Sequence, residues 1–509
     1  MKKLSKSTLA AISGNAEVHL PLSSAFSLPE KVLQFGTGVL LRGLPDYLID
    51  QANRKGIFNG SIVVVKSTDS GDSGIFDEQD NLYTLCMRGV ENGSEVSENS
   101  ICSAISRVLS AKSQWQEVLD CAKNPDLEII ISNTTEVGIQ LVQDDIRKEP
   151  PVSFPGKLLA FLHARFKAFE GDKSKGMVIV PTELIPENGK KLEAIVLELA
   201  HCNSLENDFM EWLEHSNFFC NSLVDRIVPG VPDEKNKQIL FEKLGYEDQL
   251  LTMSEAYLLW AIEGDEQIKK VLSFHPVHPN IIIKPDINLY RELKLRLLNG
   301  THTLSCGLAF LSGFQTVKEG MEHPVMSAFI SNLMLAEIAP AIPFLVPEKA
   351  AQRFGMQVLD RFKNPFVEHL WLNITVQYSS KMHMRNIPLL LNYVEKIGCV
   401  PEYFALGFAA YLLFSKPVLQ EENKYFGIHH DIKYPIQDEK AGYFYEVWEK
   451  YAAHEVTGIL LKEKSLWGQD LTLLNGFSEK VNNYLLDLIE NGVPETLTAF
   501  MQKGNLVNL

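Results

Sequence analysis

Short apolar runs alternate with amphipathic stretches over the first 284 residues of the chain. KVLQF (31–35), SIVVV (61–65), LEIIIS (127–132), GMVIV (176–180) and NIIIK (280–284) are compact, and turn-forming or polar residues follow most of them. Apolar runs of this length predict strands buried on both faces. Between several of them, RGLPDYLIDQANRK and KSQWQEVLDCAK repeat apolar positions at helical spacing. Strands alternating with helices predict an α/β domain on a largely parallel, doubly wound sheet. After about residue 285 the texture changes. YRELKLRLLNGTHTLSCGLAFLSG, VMSAFISNLMLAEIAPAI, EYFALGFAAYLLF and EKVNNYLLDLIENG all carry helical spacing, and β-branched runs become rare. The pattern predicts an N-terminal extension (1–30), an α/β domain (31–284) and an all-α domain (285–509).

Composition supports this division: 509 residues, 45% of them hydrophobic, are enough for two cores. With 64 acidic against 48 basic residues the formal net charge is -16, which disfavours nucleic acid as a partner. A small anion in a local basic pocket remains compatible with it. The cysteines (Cys86, Cys102, Cys121, Cys202, Cys220, Cys306 and Cys399) are odd in number and scattered, without a C-x-x-C pair. They suit a reducing cytoplasm better than a disulfide framework or a zinc site. The apolar part of the N-terminus, LAAI, is too short for a signal-peptide core. The longest apolar run, Tyr403 to Phe414, falls well short of the ~20 residues of a bilayer span and reads as a buried helix, so no membrane partner is expected.

VLQFGTGVLLRG (32–43) runs a short strand into Gly36 and Gly38, and a helical pattern follows. A Rossmann-like dinucleotide fold begins this way. The first glycine permits the tight turn, and the second lets backbone amides approach a pyrophosphate at the helix N-terminus. Leu41 stands where the usual third glycine falls. After the second strand, Lys66 comes where an acid would select NAD, and Asp69 follows three positions on, so these residues leave NAD and NADP both open. Asn133, Thr134, Thr135 and Glu136 follow the LEIII strand, where an open α/β sheet binds its ligands. A polar loop with a threonine cap accounts for them equally well. In NSLVDRIVPG (221–230), Asp225 and Arg226 sit between apolar residues, which alone reads as a structural ion pair.

KLRLLNGTH (294–302) spaces a lysine, an asparagine and a histidine at offsets of five and eight. On an α-helix with Lys294 at zero, His302 falls at about 80° and Asn299 at about 140°, so the three share one side. A solvated lysine, an Asn-Gly helix end and a core histidine would give the same string. GIHHD (427–431) reads as a surface turn, because adjacent histidines point apart on a helix or strand.

Taken in this order, QFGTGVLLRG, NTTEVG, NSLVDRIVPG and KLRLLNGTH resemble the polyol-specific long-chain dehydrogenases, the mannitol dehydrogenase family. The resemblance runs from about residue 31 to the C-terminus and includes VPTELIPENG (180–189), RFKNPFVEH (361–369), SKMHMR (380–385) and YPIQDE (434–439). It implies metal-independent reduction of a ketone with NAD, NADP not being excluded. Lys294 matches the family's catalytic lysine. Chemistry agrees: a carbonyl that receives hydride also needs a proton, and desolvation lowers a lysine from about 10.4. Asn299 would donate to the developing alkoxide, and His302 would bond a substrate hydroxyl and orient the lysine. The resemblance further implies cofactor contacts from Val32, Phe35, Gly36, Gly38, Val39, Leu40, Arg42, Gly43, Lys66, Asp69, Asn133, Thr134, Thr135, Glu136 and Asp225.

One departure is informative. Polyol-oxidising relatives carry a second asparagine in the segment that matches TELIPENG, and here Leu184 takes its place. Hexuronate-type members share this change, which implies a small keto-uronate substrate. Its carboxylate suits an arginine fork. Lys381, His383 and Arg385 are the candidate contacts, with Glu183 and, less favourably, Arg226 beside them. A neutral polyol substrate is disfavoured by Leu184. A nucleotide-binding protein without catalysis is disfavoured by the intact Lys294, Asn299 and His302. The expected assembly is a monomer or a homodimer.

Overall fold

The computed structural model describes residues 1–12, 14–66, 74–134 and 137–506, without the side chains of 504–506. The chain forms two compact units, unit 1 from residues 1–89 and 95–287, and unit 2 from residues 90–94 and 288–509.

Four of the five apolar runs lie in one parallel sheet of unit 1. Its strands are β1 (Glu30–Phe35), β2 (Ser61–Lys66), β3 (Ile105–Ser110), β4 (Ile129–Ser132), β5 (Val178–Pro181) and β6 (Phe218–Phe219). They stand in the order 3-2-1-4-5-6, every pair parallel. This is the Rossmann order, with its switch point between β1 and β4. Strand pleating explains why the runs are continuously apolar. Val32, Ile62, Val64, Ile129, Ile131, Val178 and Val180 enter one core cluster. Their neighbours Leu33, Phe35, Val63, Val65, Ile130 and Ile179 enter another. Successive side chains face opposite ways, so a sheet covered on both sides needs apolar residues at every position.

The two covers differ. Helices Phe154–Ala168, Asn188–Cys202 and Asn207–Ser216 pack on one face. The other receives the helix after β1 together with Trp260, Ile262, Ile281 and Ile283. Those residues belong to a separate three-stranded sheet, Ser222–Asp225, Leu259–Glu263 and Ile281–Lys284. NIIIK is thus a strand, but it pairs with Leu259–Glu263 instead of extending the parallel sheet. A four-stranded sheet includes the neighbouring strands Tyr83–Glu91 and Ser94–Cys102, joined at Asn92-Gly93, both with positive φ. Leu4, Ile12 and Val18, from the first thirty residues, pack with Phe241, Tyr246 and Leu251 in a third cluster of unit 1.

Unit 2 is helical around the buried helix Glu402–Phe414, which the apolar run at 403–414 predicts. The expectation of an all-α domain needs one amendment. Leu419–Glu421, Lys424–His429 and Ile432–Ile436 form an antiparallel meander. GIHHD spans the end of its middle strand and a two-residue turn, where His430 and Asp431 both take positive φ. The helical segment Pro324–Ala341 is long and apolar enough to cross a membrane by length and composition. In this structure Met326, Phe329, Ile330, Leu333 and Met334 are buried.

Among the described residues, four helical segments open into π-helix: Arg42–Asp46, Lys294–Gly300, Leu333–Ile338 and Met382–Asn386. Such segments are rare and gather at functional sites. Two of them carry Lys294 and Asn299 of KLRLLNGTH and His383 and Arg385 of SKMHMR.

Candidate active site

In unit 1 the glycine turn closes β1 at the switch-point strand. Gly36 has φ +122°, and a Cβ there would lie 2.9 Å from the Asn133 carbonyl oxygen. Only glycine fits that turn. Gly38 caps the following helix in extended conformation, and a Cβ on it would meet nothing within 4 Å. No described residue accepts from the amides of Val39 and Leu40. Open space over two free helix N-terminal amides fits a dinucleotide pyrophosphate.

The neighbouring residues mostly support this turn. Val32 and Phe35, expected as cofactor contacts, are fully buried in the two cores. Arg42 is also buried. Its guanidinium donates to the Thr37 carbonyl at 2.9 Å and to Thr252 Oγ1 at 3.2 Å, so it braces the loop. Gly43 takes over the close-packing role of the missing third glycine. A Cβ there would sit 2.8 Å from both methyls of Val228. The Gly43 carbonyl accepts from Arg226 Nη1 at 2.5 Å. Arg226 also donates to the Glu255 carbonyl at 3.0 Å and covers the Tyr47 ring, and it is only 6% exposed. These contacts give Arg226, the less favoured of the substrate candidates, a structural role in unit 1. NSLVDRIVPG is therefore the packing partner of the nucleotide helix.

At the ends of β4 and β5, Asn133 Nδ2 donates to the Thr182 carbonyl and hydroxyl. Glu183 is buried, and its carboxylate accepts from Ser132 Oγ, Thr134 N and Thr134 Oγ1 at 3.2, 2.8 and 3.0 Å. Glu183 was expected near the substrate, but these three donors occupy it and it fixes the loop instead. Leu184 is 61% exposed beside it. Lys66 lies buried at the end of β2, and Asp225 is buried at the end of its strand. Asp69, Thr135 and Glu136 fall outside the described residues.

In unit 2, the i→i+5 pattern of the Lys294–Gly300 π-helix stacks residues five apart. Lys294 and Asn299 therefore come closer to one line than α-helical spacing allows. Both are half-buried, and among the described residues no partner claims the Asn299 side-chain amide. His302 follows on Thr301–Leu311, 7% exposed, stacked on Phe362 with ring centroids 4.0 Å apart and planes within 6°. His369 meets it edge-on at 5.0 Å. Burial, then the nearby His369, Arg361 and Arg385, push the His302 pKa well below its usual value. The ring is neutral at physiological pH. Its Nε2 is buried without a hydrogen-bond partner among the described residues.

Lys381, at the end of the helix Tyr378–Lys381, and Arg385, on the π-segment that continues it, come to the same place. Burial and then Arg385 lower the Lys381 pKa. Burial, then Arg361 and Lys381, lower that of His369. Three cations thus surround two neutral imidazoles. Arg385 is half-buried, yet among the described residues its guanidinium makes one hydrogen bond, to Thr303 Oγ1 at 3.1 Å, and no ion pair. His383 does not join them. Its Nδ1 donates to the Leu466 carbonyl at 2.7 Å, which turns the ring toward another helix. Arg361, Phe362 and His369 were not singled out as site residues, although RFKNPFVEH contains all three.

The two π-helices are latched together. Arg296 Nη1 donates to the carbonyls of Met384 at 2.8 Å and Arg385 at 2.7 Å, while Asn386 Nδ2 donates to the Gly300 carbonyl at 3.0 Å.

A Rossmann domain followed by a helical domain with this lysine–asparagine–histidine array defines a nucleotide-dependent oxidoreductase acting on CH–OH groups. The chain belongs to the mannitol dehydrogenase family. Residues 30–274 match the mannitol dehydrogenase Rossmann domain, and residues 286–489 match the mannitol dehydrogenase C-terminal domain. The chain is 39% identical to an altronate oxidoreductase of Bacillus subtilis (strain 168) over 484 residues, covering 94% of this chain and 97% of the relative. It is 36% identical over 485 residues to an altronate oxidoreductase of Halalkalibacterium halodurans, covering 94% of each. Among solved structures, a Pseudomonas fluorescens mannitol 2-dehydrogenase in ternary complex with NAD and D-mannitol matches with TM-score 0.66 at 22% identity, over 98% of this chain and 100% of that one. A substrate-free D-sorbitol dehydrogenase matches with TM-score 0.75 at 21% identity, over 97% of this chain and 100% of that one. At these identities the two structures speak for the fold.

Proposed function

We propose that the protein reversibly reduces D-tagaturonate to D-altronate with NADH, without a metal, in the cytoplasm. One observation carries the substrate class. Among the described residues Arg385 is a half-buried guanidinium without an ion pair, near Lys381 and Arg361. A buried cation without a counter-charge is costly, so a site of this kind suits a ligand that brings a carboxylate. The curated relatives named altronate oxidoreductase support the same reading.

When bound, the dinucleotide supplies hydride to the ketone carbon. Gly36, Gly38 and the amides of Val39 and Leu40 would hold its pyrophosphate. Lys294 gives a proton to the carbonyl oxygen as the hydride arrives and takes it back in the reverse direction. The Asn299 amide donates to the oxygen while it carries negative charge. His302, kept neutral by burial, offers one ring nitrogen to a substrate hydroxyl. Arg385 and Lys381 fix the carboxylate and with it the position of the ketone along the chain.

The test is the loss of nicotinamide absorbance with tagaturonate, fructuronate or fructose, each with NADH and with NADPH. Oxidation of NADH by tagaturonate in strong preference is the expected result. A preference for fructuronate would replace the proposed substrate by its epimer. Turnover of fructose alone would overturn the carboxylate assignment, and folded protein that binds NADH and turns over none of the three would overturn the catalytic reading.

A further inference from the structure

We propose that Thr303 is a positioning residue that sets the place of the substrate's carboxylate relative to the ketone being reduced. The inference rests on Arg385 holding that carboxylate. Thr303 lies on the helix that carries His302 and is fully buried. Its hydroxyl donates to the Asn299 carbonyl oxygen at 2.7 Å. A threonine on a helix commonly bonds the carbonyl four residues back. The second contact is less ordinary: the same oxygen accepts from Arg385 Nη1 at 3.1 Å, across 82 residues of sequence.

A hydroxyl has one proton and two lone pairs. With the proton committed to Asn299, the oxygen is oriented as an acceptor, and donation strengthens it in that role. Thr303 itself is closed to solvent. The same stretch also grips the other end of Arg385, because Arg296 Nη1 donates to the Arg385 backbone carbonyl at 2.7 Å. Backbone and guanidinium of the anion-binding arginine are thus both referenced to the segment that presents Lys294 and Asn299. An α-keto acid would need little of this, since its carboxylate adjoins the ketone. A uronate carries its carboxylate at the far end of the carbon chain, so a fixed distance between the two sites sorts substrates by length.

Thr303→Val keeps shape and removes both contacts. With tagaturonate its KM should rise about tenfold or more, the range expected for losing a hydrogen bond to a charged group. Its kcat should stay within about threefold, because the proton donor is untouched. The neutral ketose D-tagatose, which lacks the carboxylate, should show the same kcat/KM in both proteins. Thr303→Ser should restore the KM, and the thermal midpoints of all three proteins should agree within ~2 °C. An unchanged KM for tagaturonate in T303V overturns the inference. So does an equal loss with tagaturonate and tagatose that serine does not repair, which would mark Thr303 as packing alone. A wild-type protein without uronate turnover overturns the functional reading instead. Calorimetric titration with altronate then tests Thr303 directly: tighter binding to wild type by about tenfold supports the seat, and equal or absent binding overturns it.

Discussion

Beneath the glycine turn of unit 1 lies a carboxyl group whose state is testable without any substrate. Asp46 is completely buried on the π-helical segment after β1. Gln34 Nε2 donates to its Oδ2 at 3.3 Å and to the Gly36 carbonyl at 3.4 Å. Asp46 Oδ1 and Gln34 Oε1 are both buried acceptors without a donor among the described residues. Buried acceptors rarely stay unpaired, and a carboxylic acid proton is the donor this pocket lacks. Burial raises the Asp46 pKa to about 7, against the smaller opposing effects of the Gln34 hydrogen bond and Arg42.

The sign of the pH dependence follows. The folded chain keeps this proton up to about pH 7, while an unfolded chain releases it near pH 4. Folding therefore binds a proton across that window, and stability falls as pH rises through it, then levels off above it. A shift of roughly three units corresponds to about 4 kcal/mol in all, at 1.36 kcal/mol per unit. Roughly 2–3 kcal/mol of that is lost between pH 5 and pH 8. Asp46→Asn keeps the shape and supplies an amide N–H to the unpaired acceptor at every pH. In calorimetry, the midpoint of the unit 1 transition should move in favour of D46N, relative to wild type, by about 5–10 °C between pH 5 and pH 8. Comparison with wild type removes the contribution of Glu337, another buried acid raised to about 7. Parallel midpoint curves for the two proteins would refute the protonated Asp46.

The other predictions concern the two parts of the site. Gly43→Ala drives a Cβ into the branched Val228 side chain and should destabilise unit 1 by about 1–3 kcal/mol, with weaker NADH binding, as read by denaturation and fluorescence titration. Arg385→Leu should raise the KM for tagaturonate by about ten- to a hundredfold and leave tagatose unaffected, as steady-state rates will show. Lys294→Ala should lower kcat by about 10²–10⁴-fold with NADH affinity unchanged, which single-turnover rates and equilibrium titration separate.

The strands of the parallel sheet were legible because a doubly covered sheet writes itself as unbroken apolar runs. The same rule hides which sheet a run joins, and NIIIK went to another sheet for that reason. The strand pair about Asn92-Gly93 carried a strong turn signal, while the meander of unit 2 turns at His430-Asp431, a pair that announces nothing. Glycine roles were half legible. Gly36 declares itself by its place after a strand, but the packing glycine had shifted to Gly43, where only the partner Val228 shows what it does.

The charged candidates separate by burial and partner, which sequence does not carry. Arg226 and Arg385 each have one apolar neighbour in sequence, Ile227 and Met384, yet backbone carbonyls engage two nitrogens of Arg226, and among the described residues the Arg385 guanidinium meets a single hydroxyl. His383 and Arg385 are two residues apart, and the π-turn between Met382 and Asn386 sends them to different neighbours. The π-turns are also what the residue pattern could least reveal, since nothing in KLRLLNG or MHMRN disfavours an α-helix. Their cause lies in what faces them. A π-turn exchanges i→i+4 bonds for longer ones and lets carbonyls turn outward. Arg296 collects those of Met384 and Arg385, and Asn386 collects that of Gly300. Each irregular helix thus supplies the donor that stabilises the other. The segments that carry Lys294 and Arg385 are fixed by one mutual arrangement, which neither specifies alone.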